Sequence, residues 1–170
     1  MRVLAIDPGN VESAYVVWDG AKIHAFDKVP NEEMRRILKR NAGSYEVDTV
    51  AIEMIASYGM PVGKEVFETC LAIGRFTEIA ENARSIYGAP ALTYVYRQEE
   101  KLHHCRSVKA NDTTIRHALL DRFGVKGTKK SPGFFWGFKD DVWAAFAIAV
   151  VVTDRANGLQ AAPVSKINPV

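Results

Sequence analysis

The stretch Val142–Val152 (VWAAFAIAVVV) runs for eleven residues without a polar side chain. It is short of the roughly 20 residues a membrane-spanning helix needs. A helix that is apolar on every side is a helix buried on every side, so whatever fold this chain adopts must enclose it. Two carboxylates, Asp140 and Asp141, stand directly at its entrance. One acid there is ordinary, because free backbone N–H groups and the helix dipole favour negative charge in a first turn. Two in succession place charge against the protein interior, and that asks for a further reason.

The 170 residues suffice for one well-buried core, with residues 1–156 expected to form a single domain and 157–170 a flexible tail. Nearly half are apolar (48%) and a quarter charged (25%), the balance of a folded globular protein. MRVLAIDPG is not a secretory signal, and a cytoplasmic location is expected. Cys70 and Cys105 make no disulfide framework and read as inert thiols. The net charge of +2 conceals an asymmetry: residues 1–95 hold ten Lys/Arg against thirteen Asp/Glu, and residues 96–170 hold twelve against seven. Arg97, Lys101, Arg106, Lys109, Arg116, Arg122, Lys126, Lys129 and Lys130 crowd into one segment. That is the footprint of a phosphate-binding surface, or of a plain solvated face.

Along the chain, 2–6 and 13–18 read as strands, and Asp19-Gly20 turns the second into a third over 21–27. Pro30-Asn31-Glu32-Glu33 opens an amphipathic helix with Arg36, Lys39 and Arg40 near its end. Residues 48–53 read as a buried strand parallel to the first. Val66, Phe67, Cys70, Leu71, Gly74, Ile79 and Ala80 mark a long helix over 64–86, and 91–96 a fifth strand. Helices from about Asn111 to Phe123 and from Asp141 onward complete the order βββαβαβαα, an α/β layer fold with a mixed sheet.

Asp7 ends the first strand, Glu53 the fourth, and Asp140/Asp141 open the last helix. With strands 1 and 4 adjacent and parallel, Asp7 and Glu53 project together at the carboxyl edge, where α/β sheets place their sites. Their like charges repel unless a cation lies between them. Carboxylates without His or Cys at ligand spacing suit Mg²⁺, or Mn²⁺ in its place, rather than zinc. Two such ions, roughly 4 Å apart, support phosphodiester hydrolysis.

These residues carry a resemblance. Ile6-Asp7-Pro8-Gly9 after a strand, Ile52-Glu53 at the end of another, and Lys139-Asp140-Asp141 before an Ala-rich helix resemble the RuvC family of Holliday-junction resolvases, of the RNase H-like superfamily. Ser107-Val108-Lys109 and Arg122-Phe123-Gly124, on either side of a helix, fit the same family, and the compact middle is more similar to phage-type members. The resemblance spans about residues 1–155. It implies an RNase H-like five-stranded mixed sheet flanked by helices, metal binding by Asp7, Glu53 and Asp141, and Lys109 at the scissile phosphate. It also implies a homodimer built on helix 64–86 and an endonuclease that resolves four-way DNA junctions by paired nicks. Where the family often carries a second acid or His three residues into the last helix, this chain has Ala144. Asp140 is then either an auxiliary ligand or the N-cap. That gap keeps open a junction-binding protein without catalysis, or a nuclease for other branched DNA or RNA.

Tyr58 follows Glu53 closely and could stack on an unpaired base, or pack on its own loop. Lys101, Arg106, Lys126, Lys129 and Lys130 are the further DNA-contact candidates. His103-His104-Cys105 lacks a second Cys/His pair for zinc and reads as a basic, DNA-facing helix end. Gly124–Ser131 lacks phosphate-loop spacing, so no nucleotide cofactor is expected. Phe134, Phe135 and Trp136 either anchor their loop or meet DNA.

Overall fold

The computed structural model describes residues 1–159 except 44–46, 58, 60 and 89. Tyr58, and the tail from 160 on, lie outside the described residues. Ten elements follow in order: β1 (Val3–Asp7), β2 (Glu12–Trp18), β3 (Ile23–Pro30), α1 (Asn31–Gly43), β4 (Thr49–Met54), α2 (Lys64–Tyr87), β5 (Ala91–Tyr96), α3 (Arg97–Cys105), α4 (Asp112–Phe123) and α5 (Val142–Ala156). The sheet order is β3-β2-β1-β4-β5, with β1/β2 and β2/β3 antiparallel and β1/β4 and β4/β5 parallel. The mixed five-stranded sheet expected from the sequence is present. One helix was not foreseen, α3, which follows β5 without a linker.

Strand alternation divides the core. Leu4, Ile6, Val17, Val50 and Ile52 face α1 and α2, where Met34, Leu38, Ile73 and Phe76 cover them. Val3, Ala5, Ala14, Val16, Ala51 and Val95 face the other way, toward α5. Both faces of the central strands are therefore apolar, as parallel strands covered by helices require. From Val142 to Asp154 every α5 residue except Ala144 is buried, and the helix touches β1, β2, β3 and β4. Trp18 closes its far end by donating from Nε1 to Thr153 Oγ1 at 3.3 Å.

The segment between α4 and α5 is held by aromatics. Phe135 and Phe138 are fully buried, and Phe134 packs edge-on against Trp18 and stacks on Phe123. These rings anchor the loop, while Trp136 stays exposed. Within it, Thr128 and Ser131 exchange backbone hydrogen bonds at 2.9 and 3.1 Å. Lys129 and Lys130 are thereby set at the tip of a tight turn. The turn's two arms meet at Gly127 and Gly133, where a Cβ on either would stand 2.1 Å from opposing backbone. No side chain larger than hydrogen fits there.

Candidate active site

The register across the sheet builds the site. Asp7 pairs with Ala14, Ala14 pairs with Lys28, and Glu53 pairs with Val95. Ile6 opposite Ile52 brings Asp7 level with Glu53 on the neighbouring parallel strand. Side chains two apart on a strand share a face, so Asp7 follows Val3 and Ala5, Glu53 follows Ala51, and Lys28 follows Phe26, all toward α5. Lys28, Ala14, Asp7, Glu53 and Val95 thus form one row, and the methyl of Ala14 leaves the space between Lys28 and Asp7 open.

Asp7 and Glu53 stand within hydrogen-bonding reach of each other. Burial first, then the charge and hydrogen bond of Glu53, then the charges of Asp141 and Glu100, push the Asp7 carboxyl well above the usual carboxylate range. Each cause disfavours the ionised form. The sequence-based expectation that these two acids meet at the strand ends is realised.

At the start of α5 the acid doublet divides. Asp140 has φ of 39°, the left-handed region that Asp and Asn tolerate better than most residues. The N-cap position belongs to Asp141, which makes no side-chain capping bond, so Asp140 as N-cap is corrected. Asp141 is instead gripped by Lys28, Nζ to Oδ2 at 2.7 Å. That bond lifts the Lys28 ammonium above its usual range. Among the described residues no three Asp, Glu, His or Cys side chains gather closely enough to enclose a metal ion. Asp7 and Glu53 are paired; Asp141 is turned to Lys28.

A further acid was missed by sequence reasoning. Glu100, one turn into α3, is fully buried. Its Oε2 accepts from Arg97 Nη1 at 2.6 Å, and Arg97 also pairs with Asp112. Burial, then the charge of Glu53, drives the Glu100 carboxyl well above its ordinary range, against the pull of Arg97. Buried Oε1 has no hydrogen-bond partner, the one carboxylate oxygen in that state among the described residues. Arg97, Arg116, Asp140, Asp141, Trp143 and Ala144 help line a small adjoining cleft of about 60 Å³, in which Arg116 lies over the Trp143 ring at 4.6 Å. The donor chemistry suits a hard divalent cation: carboxylates and an orphaned buried oxygen, though among the described residues no three of them converge as they stand.

The basic candidates lie on α3, in the turn after it and in the segment between α4 and α5. Lys109 is exposed in the α3–α4 turn, its N–H donating to Ser107 Oγ. Arg106 is exposed at the C-cap of α3 in left-handed backbone, φ 53°. Lys101 is partly buried on α3, and Lys129 and Lys130 are exposed at their turn. Lys126 instead donates to the Phe138 carbonyl at 2.5 Å, which ties it to the loop backbone. The expectation of a DNA-facing His103-His104 is corrected: His103 Nε2 is 2.7 Å from Asp154 Oδ2 and His104 Nε2 is 3.0 Å from the Ala147 carbonyl. Both rings point into the interior toward α5. Burial lowers the His104 pKa to about 4, so the ring is neutral near pH 7. Arg122 adds two hydrogen bonds to Asp154, at 2.5 and 2.7 Å. Burial alone would raise Asp154, but Arg122 and His103 together hold it below the usual range.

The five-stranded mixed sheet, with acids on adjacent parallel strand ends and on the covering helix, defines an RNase H-like α/β fold of the RuvC type. Solved structures that share it include Holliday-junction resolvases. Thermus thermophilus RuvC superposes with a TM-score of 0.68 at 16% identity, over 94% of this chain and 98% of that one. The same protein in complex with a Holliday junction substrate gives 0.66 at 16% identity, over 94% and 97%. The yeast mitochondrial Holliday junction resolvase Ydc2 gives 0.56 at 13% identity, over 87% and 77%. No protein-family model and no curated protein sequence matches the chain.

Proposed function

We propose that this chain is a divalent-metal-dependent endonuclease that resolves four-way DNA junctions by paired symmetric nicks, acting as a homodimer. The observation that carries this reading is the Asp7–Glu53 pair. Two carboxylates are held side by side on neighbouring parallel strands, where their repulsion is a standing cost without a cation, in a fold shared with junction resolvases. Mg²⁺ or Mn²⁺ held there would supply Lewis-acid and water-activating chemistry.

The chain's own residues set the rest. Asp7 and Glu53 hold the metal from the sheet, and Asp141 approaches from α5 on a helix locked by burial. Lys28 keeps Asp141 beside the row and balances its charge. Asp140 lines the cleft as an auxiliary acid. Lys109, with Arg106, Lys101, Lys129 and Lys130 around it, neutralises backbone phosphates and orients the branched substrate. The outer face of α2 exposes Phe67 at 60% and Leu71 at 63%, with Cys70 and Gly74 also exposed between the buried Thr69, Ala72, Ile73 and Phe76. An apolar stripe of that kind suits an isologous contact, and two-fold symmetry presents two equivalent sites to a symmetric junction.

The test is cleavage of a labelled synthetic four-way junction in Mg²⁺, with cut sites mapped on all four strands. Paired nicks at symmetry-related positions are expected. Tight binding without nicks at any divalent-ion concentration overturns the enzyme reading and leaves a junction-binding protein, the alternative that Ala144 favours. Preference for flaps, duplex or RNA–DNA hybrid in parallel reactions overturns the choice of substrate.

A further inference from the structure

One carboxylate at the edge has no part in the scheme above. Glu100 comes from α3, which starts where β5 ends, and β5 lies parallel beside β4. The ends of β1, β4 and β5, three neighbouring parallel strands, therefore each lead to one acid: Asp7, Glu53 and Glu100. The turn of the last helix that follows Asp141, Val142-Trp143-Ala144-Ala145, carries no further acid.

A purely structural role explains half of the Glu100 side chain. Oε2 holds Arg97, and Arg97 reaches on to Asp112. An i,i+3 pair of that kind works equally well on an exposed helix face. It does not account for full burial, nor for Oε1 being sealed from water without a donor while the carboxylate stands beside Glu53. A buried polar oxygen lacking a partner is costly to hold, even with Arg97 on its twin. A positive ion shared with Glu53 removes both the orphaned oxygen and the repulsion.

We propose that Glu100 is a further carboxylate ligand of the divalent-cation site, binding through Oε1 while Arg97 fixes Oε2. It takes the place that an acid at position 144 would fill, and it approaches from the β5 side of the sheet rather than from α5. This rests on the metal-dependent reading of Asp7 and Glu53.

Titration of the intact protein with Mn²⁺, followed by calorimetry and by the loss of the free-ion electron paramagnetic resonance signal, tests it without reference to cleavage. Wild type, Asp7→Asn, Glu100→Gln and Arg97→Gln are compared, with folding checked by circular dichroism. Glu100→Gln is expected to weaken Mn²⁺ binding about tenfold or more, and Arg97→Gln to retain or tighten it. If Glu100 only holds Arg97, the two variants behave alike, and that result overturns the proposal. Wild-type Mn²⁺ affinity in Glu100→Gln, with binding lost in Asp7→Asn, also overturns it and leaves the metal-dependent nuclease intact. Absence of Mn²⁺ binding by folded wild type overturns the nuclease reading itself. Should Glu100→Gln fail to fold, Glu100→Asp keeps the charge and withdraws the oxygens by one methylene; unchanged Mn²⁺ affinity there counts against direct ligation.

Discussion

Buried acids meet each end of helix α5, and the two groupings are opposites. At its C-terminal end Asp154 is buried, yet Arg122 and His103 give both of its oxygens partners and hold the carboxyl below its usual range. At its N-terminal end Asp7, Glu53 and Glu100 repel one another; Asp7 and Glu100 are raised, and Glu100 Oε1 has no partner. The first cluster brings its counter-charge within the chain. In the second, Arg97 meets Oε2 of Glu100, and the mutual repulsion of the acids remains. On the reading proposed above, opposite satisfaction separates a carboxylate that serves the fold from carboxylates that serve a ligand.

The contrast breaks first at Asp7 and Glu53. Asp7→Asn or Glu53→Gln is expected to lower single-turnover cleavage of a four-way junction by about a thousandfold or more, equivalent to roughly 4 kcal/mol of transition-state stabilisation. Junction binding, read by gel shift in the absence of metal, is retained. Wild-type nicking in either variant removes the functional half of the comparison.

At the other end, Arg122→Ala leaves Asp154 buried with only His103. Urea denaturation is expected to show a loss of about 2–3 kcal/mol, under the usual cost of breaking a fully buried pair because Arg122 is partly exposed. Cleavage by the remaining folded protein keeps its rate. A variant that stays stable but loses cleavage would mean that this cluster, too, belongs to the chemistry.

The two ends also respond to pH with opposite signs. His104 has a folded pKa of about 4, below its unfolded value. Its contribution is complete above about pH 6.5 and is lost as pH falls toward 4, on the order of 2–3 kcal/mol. The lowered Asp154 acts in the same direction at lower pH. Asp7 and Glu100 are raised, so their contribution is present below the unfolded carboxylate range and is lost as pH rises through the folded values. Unfolding curves from pH 4 to 8 with chelator, then with Mg²⁺, check this. The metal is expected to restore stability at the alkaline side alone, and an equal gain at pH 4 and pH 8 would contradict it.

The smallest effect is at the rim. Lys109→Ala should weaken junction binding across all sequences and reduce the logarithmic salt slope by about 1. An unchanged slope, measured between two salt concentrations, removes Lys109 from the phosphate contacts.

What the sequence disclosed follows the same division. Asp7, Glu53 and the α5 run were legible because a charge ending an apolar strand, or opening an apolar helix, interrupts a pattern that burial explains. Helix α3 was not. Arg97-Gln-Glu-Glu-Lys has no apolar period and reads as a solvated face; it is helical because Glu99 returns to the Tyr96 N–H at 2.7 Å and because the following turns pack on α4 and α5. Glu100 is hidden within that charged run, its neighbour Glu53 being 47 positions away. Lys28 depended on a register across two strand pairs, and its meeting with Asp141 spans more than a hundred residues. The division of Asp140 from Asp141 rests on a backbone angle that no side-chain pattern encodes.

The burial of α5 bears on the order in which the molecule can become active. β1 to β5 lie within residues 3–96, whereas α5, which covers β1 to β4 on the face opposite α1 and α2, begins at Val142. A nascent chain displays that apolar face uncovered while the remainder is being made, a state open to aggregation. Only when the helix docks does Asp141 reach the row that Asp7 and Glu53 occupy. Core closure and assembly of this row of acids are the same late event, so a half-made chain lacks the candidate site.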